Sequence, residues 1–118
     1  MLDSSGFFDY KEFSCHCGCG YNAVSQELIT VLIDVRTYFC KPVIINSGCR
    51  CVVYNKVVGG RDNSQHISGC AADIVVNEIP SKIVADYLEK KYPKKYGIGR
   101  YEGFTHIDVR EVAFRWRG

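Results

Sequence analysis

Phe104-Thr105-His106-Ile107-Asp108-Val109 alternates, so a strand through it places Phe104, His106 and Asp108 on one face and Thr105, Ile107 and Val109 on the other. The apolar face belongs to a core, which leaves His106 and Asp108 projecting together into a cleft. Three roles are open to Asp108 there: acceptor for an imidazole N–H, general base, or solvated edge residue. A second run, Ala71-Ala72-Asp73-Ile74-Val75-Val76, reads as a buried strand carrying one acid. Burying Asp73 is costly without a partner, and a cation or a set of hydrogen bonds would supply one.

Outward from these two strands, the remaining elements follow from periodicity and punctuation. Leu28, Val31, Leu32, Val35 and Phe39 recur at helical spacing behind a capping residue, Ser25, with Glu27 in the first turn, and the helix is expected to end near Tyr38. Pro42-Val43-Ile44-Ile45-Asn46 is a short apolar run left through Ser47-Gly48, as a buried strand would be. Gly59-Gly60 and Arg61-Asp62-Asn63-Ser64 make a turn-rich loop leading to His66 and Gly69. A second helix starts at Ser81, with Ile83, Val84, Tyr87 and Leu88 as its apolar face, and Pro93, Gly97 and Gly99 end it. A further strand is expected over 98–101. Short strands with tight returns favour an α+β fold, a small and mainly antiparallel sheet packed with helices, over a doubly wound parallel one.

The chain has 118 residues, 47% hydrophobic and 24% charged, which fits one soluble globular domain over 1–118 and excludes disordered or fibrous classes. No linker or internal repeat argues for a boundary. A net charge of +2 is too small to point to nucleic acid. Lys90, Lys91, Lys94, Lys95 and Arg100 form a local basic stretch, read as a solvated helix end and loop, with weak attraction to an anionic polymer such as a cell wall as the alternative. The longest apolar stretch is far short of the roughly 20 residues a membrane span needs. The opening residues lack the apolar run of a signal peptide, so synthesis in the cytoplasm is expected.

Three histidines and seven cysteines are the unusual part of the composition. A catalytic divalent metal needs three mixed nitrogen and oxygen ligands on rigid elements with one side open. His66, Asp73 and His106 are candidates, because Gly69 lets the loop residue His66 fold back toward the strand residue Asp73. Cys15, Cys17 and Cys19 with His16 form a cluster open to a second metal site, a disulfide or buried thiols; its spacing lacks the usual C-x-x-C of a zinc knuckle. Cys49 and Cys51 flank Arg50, and Cys70 falls between His66 and Asp73, so all three are expected near the site without acting as nucleophiles. A cysteine protease is disfavoured, since no Cys/His pair stands in a recognisable nucleophile context.

Ser47-Gly48-Cys49-Arg50, Asn55, Val58-Gly59-Gly60, the run from Ser64 to Ile74 and Phe104-Thr105-His106-Ile107-Asp108-Val109-Arg110 together resemble the zinc D-Ala-D-Ala carboxypeptidase family. Glu12-Phe13 and the Cys15-His16-Cys17-Gly18-Cys19-Gly20 run are similar to the short phage-type murein peptidases within it. The resemblance implies the fold shared by D-Ala-D-Ala peptidases and the hedgehog signalling domain, with Zn²⁺ held by His66, Asp73 and His106. It implies Arg50 as a substrate-facing cation, with a surface salt bridge as the plainer alternative. Ser64 is a supporting hydrogen-bond donor or a turn residue. The implied substrate is a peptidoglycan stem peptide, cut by a zinc-activated water either as a D-Ala-D-Ala carboxypeptidase or as an L-Ala-D-Glu-type endopeptidase. The matching expectation is a monomer made without a signal peptide and acting at the bacterial cell wall, with a phage and a host origin both open. One departure stands out: the family's acidic residue three positions before the second histidine is Gly103 here. Glu102 is the expected base in its place, and Asp108 the rival candidate. The missing acid also leaves room for a non-catalytic, zinc-containing wall-binding or virion module.

Overall fold

The computed structural model of the protein describes residue 8 and residues 25–48, 57–58 and 70–118. Among them are two helices, α1 (Gln26–Phe39) and α2 (Ser81–Lys91), and five strands: β1 (Val43–Ser47), β2 (Ala71–Val76), β3 (Gly97–Arg100), β4 (Thr105–Asp108) and β5 (Phe114–Arg117). The strands form one sheet in the order β1-β2-β4-β3-β5, antiparallel except for the parallel pair β3 and β5. The expected α+β class holds.

α1 forms because Leu28, Val31, Leu32 and Val35 fall on one side, where all four are buried. Ser25 occupies the N-cap position in extended conformation, but its side chain makes no capping hydrogen bond. Cys40, in the left-handed region at φ 55°, turns the chain out of the helix and toward β1. α2 packs through Val84, Ala85 and Leu88. Ile83, expected on that face, is 45% exposed: at about 100° per residue it lies to one side of the buried arc through Val84, Leu88 and Ala85.

Both helices cover one face of the sheet. Ala72, Ile74, Val76, Ile98 and Ile107 meet Leu28, Leu32, Val35, Val84 and Leu88 in a continuous core. The alternation of β2 and β4 therefore sends Asp73, His106 and Asp108 to the opposite face, as the pattern of 104–109 requires. A bulge between Ile45 and Ser47 shifts β1 so that Ser47 stands opposite Asp73.

β5 is the one strand that the sequence reading does not include. Arg115 ties it to the rest of the molecule, donating to the carbonyls of Tyr92 at 2.7 Å and Lys95 at 3.2 Å and to that of Tyr96. Its alternation puts Phe114 and Trp116 on the same face as His106, and Arg115 and Arg117 on the other. Among the described residues no helix is long and apolar enough to cross a membrane.

Candidate metal centre

The register of β2 and β4 sets Asp73 directly opposite His106, and the two side chains meet, Oδ1 to Nδ1, at 3.0 Å. On the far side of the ring, Nε2 lies 2.8 Å from Oδ2 of Asp108. All three residues are buried.

Asp108 is the most tightly held group of the set. Its side chain is fully buried, and it accepts hydrogen bonds from the backbone N–H of Gly97 at 3.1 Å and from Arg110 Nε and Nη2, each at 2.7 Å. Burial alone would raise its pKa, but the hydrogen bonds from His106 and Arg110 prevail and hold the carboxyl well below the usual carboxylate range. An ionised Asp108 can only accept, so His106 Nε2 carries a proton and donates it. Nδ1 is then the nitrogen turned toward Asp73. For His106, burial works against a charged ring, yet its bonds to Asp108 and Asp73 outweigh that and raise its pKa above the ordinary histidine value.

This donor set fits a divalent metal of the zinc type: an imidazole nitrogen and a carboxylate oxygen, with the other ring nitrogen oriented by a second carboxylate. Two ligand atoms sharing one tetrahedral zinc stand about 3.3 Å apart, close to the 3.0 Å separation of Nδ1 and Oδ1. Among the described residues no group of three His, Cys, Asp or Glu side chains is arranged to hold a metal. His66, the third expected ligand, lies outside the described residues, as do Arg50, Ser64, Cys49, Cys51 and the cluster of Cys15, Cys17 and Cys19 with His16.

Glu102 occupies the tip of the β3–β4 hairpin. Its backbone carbonyl accepts a hydrogen bond from Ser81 Oγ at 3.0 Å, and the residue is exposed. It borders a groove of about 470 Å³ together with Lys82, Arg100 and Arg117, and neither Asp73 nor His106 lines that groove. Gly103 beside it meets nothing within 4 Å of a built Cβ. Asp108 is thus in contact with His106, whereas Glu102 stands at the solvent-facing end of the same hairpin.

Four residues of the surroundings carry no role at the site in the sequence reading. Arg110 grips Asp108. Gly97 and Gly99 leave the β3 surface bare: a Cβ at Gly97 would lie 2.4 Å from Asp108 Oδ2, and one at Gly99 2.6 Å from the Trp116 ring. Trp116 packs against His106 with ring centroids 4.9 Å apart, and its Nε1 donates to the Tyr101 hydroxyl at 2.9 Å. The signals for them were in plain view, glycines two apart on a strand and an aromatic–basic alternation at Phe114-Arg115-Trp116-Arg117.

A family model described as Peptidase M15 matches residues 7–108, which takes in β1 to β4 and ends at Asp108. A search of curated proteins finds no match.

Proposed function

The chain belongs to the peptidase M15 family, a family of metallopeptidases, and on that premise we propose that it is a zinc-dependent peptidase hydrolysing a peptide bond in bacterial peptidoglycan stem peptides. The observation that carries this reading is the contact of Asp73 with His106 Nδ1, backed by the Asp108 hydrogen bond to Nε2. With His66 these residues would hold the ion. Bound zinc supplies Lewis acidity, which activates water near neutral pH and polarises a scissile carbonyl.

The protein's own residues do the rest. Asp108 keeps the proton on Nε2, so that Nδ1 can offer its lone pair on the face of the sheet away from the helices. Its burial and full set of donors support an orienting role rather than proton transfer. Glu102, the acid next to Gly103, is the proposed base, taking a proton from the attacking water and passing it to the leaving amine. Arg50 is the proposed grip on a substrate carboxylate or developing oxyanion, through its planar fork of donors. Ser64, two positions before His66 in sequence, is the proposed supporting hydrogen-bond donor or turn residue. Both a terminal D-Ala-D-Ala bond and an L-Ala-D-Glu bond are compatible with this arrangement.

The test is metal analysis of the purified protein combined with release of new amines from peptidoglycan. About one zinc per chain and amine release abolished by chelation are expected. A zinc-loaded protein that binds cell walls and releases nothing would favour the alternative, a non-catalytic wall-binding module, for which Gly103 in place of the acid is the specific observation.

A further inference from the structure

His106 is enclosed by a closed circuit of contacts, half of which comes from residues beyond position 108, where the family match ends. Its Nε2 donates to Asp108. Asp108 is forked by Arg110. The Arg110 guanidinium lies over the Trp116 ring, 5.5 Å from its centroid, and over Phe114 at 5.1 Å. Trp116 returns to the His106 ring at 4.9 Å, tilted by 55°. The hydroxyl of Tyr101 fixes the indole in its plane through Nε1, and Gly99, opposite both His106 and Trp116 in the sheet, leaves the space the indole fills.

We infer that Arg110 and Trp116 are positioning residues for His106, and that β5 is thereby a working part of the metal centre. Asp73 and Asp108 address the two ring nitrogens but leave the imidazole plane free to tilt about the line joining them. A rigid aromatic surface against the ring removes that freedom, and Arg110 locks the surface to the carboxylate that holds Nε2. The parallel β5 delivers Trp116 to the correct strand position, while Arg115 on its other face anchors the strand to the loop after α2. The inference deepens the zinc reading and rests on it for the identity of the metal.

The test uses the full chain and two readouts, the slowly exchanging Nε2–H resonance of His106 in metal-free protein by NMR, and Zn²⁺ affinity by competition with a chromophoric chelator. Trp116→Ala and Arg110→Gln are expected to lose the protected resonance and to weaken zinc binding by about 10–100-fold, the range for residues supporting a metal ligand from outside. Trp116→Phe, which keeps an aromatic surface, should restore most of both. Leu32→Ala serves as the control: it removes a fully buried side chain from the helix-covered face of the sheet, opposite the face that carries His106, and should lower thermal stability while leaving both readouts intact. Folded Trp116→Ala and Arg110→Gln proteins with a wild-type resonance and affinity would overturn the inference, as would loss of both readouts in Leu32→Ala. If the wild-type chain binds no zinc, the metal reading fails, and the clamp is still decided by the metal-free resonance.

Discussion

Asp73 and His106 face each other from adjacent antiparallel strands, Oδ1 to Nδ1 at 3.0 Å, although 33 residues separate them in sequence. Neither residue has a specific chemical meaning alone. Their meeting follows from the sheet register, which puts both on the face away from the helices and leaves Asp108 on the other side of the same ring. Removing either proposed ligand should abolish the proposed activity. His106→Ala and Asp73→Ala are each expected to weaken zinc binding beyond the roughly 10–100-fold typical of losing a supporting residue, measured by chelator competition.

Asp108 has a stability role as well as an orienting one. Replacing it by alanine strands the Arg110 guanidinium, the Gly97 amide and the His106 Nε2–H around a vacated carboxylate site. Arg110 keeps partial contact with water, so the cost is that of leaving buried donors without an acceptor, about 1–3 kcal/mol, and Asp108→Ala should unfold at lower denaturant concentration. Asp108→Asn keeps the volume and should be milder in stability but still impaired in zinc affinity.

The bare surface of β3 gives a packing prediction. Gly99→Ala would place a methyl 2.6 Å from the Trp116 ring, and Gly97→Ala one 2.4 Å from Asp108 Oδ2. Overpacking of this kind costs about 1–3 kcal/mol. Both variants should lower the thermal midpoint, whereas Gly103→Ala, in open space at the hairpin tip, should leave packing undisturbed.

At alkaline pH the phenols under α1 become decisive. Burial, reinforced by the hydrogen bond to Glu27 Oε2 at 2.8 Å, pushes Tyr96 up to about 12, and burial with the nearby Asp34 carboxylate does the same for Tyr92. A group whose folded pKa lies above its unfolded value of about 10 contributes fully below pH 10 and loses that contribution as the pH climbs to 12. Thermal midpoints should therefore fall steeply between pH 10 and 12, and the fall should be shallower in Tyr96→Phe.

Glu102→Gln separates the roles of the two carboxylates on the hairpin. A large loss of kcat with zinc affinity unchanged is expected if Glu102 transfers the proton. Near-normal turnover in Glu102→Gln would reject it as the base.

Alternation and helical spacing made most of the architecture legible: β2, β4 and α1 follow directly from Ala71 to Val76, from Phe104 to Val109 and from Leu28 to Val35. Those same patterns put His106 and Asp108 on a shared face before any coordinates. β5 escaped because four residues, two of them arginine, carry too little apolar signal to stand as a strand; it forms through tertiary hydrogen bonds from Arg115 and pairing with β3. Trp116 escaped with β5, and the grip of Arg110 on Asp108, two residues away, leaves no trace in a hydropathy pattern. The exposed Ile83 shows the limit of periodicity on a short helix: the buried arc runs through Val84, Leu88 and Ala85, and Ile83 falls outside it.

The central claim, zinc-dependent cleavage of peptidoglycan stem peptides at this centre, is tested most directly by mass spectrometry of purified peptidoglycan incubated with the zinc-loaded chain and with Asp73→Ala. The account predicts fragments shortened at one defined stem-peptide bond with the wild type and none with the variant; a zinc-loaded wild type that leaves both walls and D-Ala-D-Ala peptides intact would contradict it.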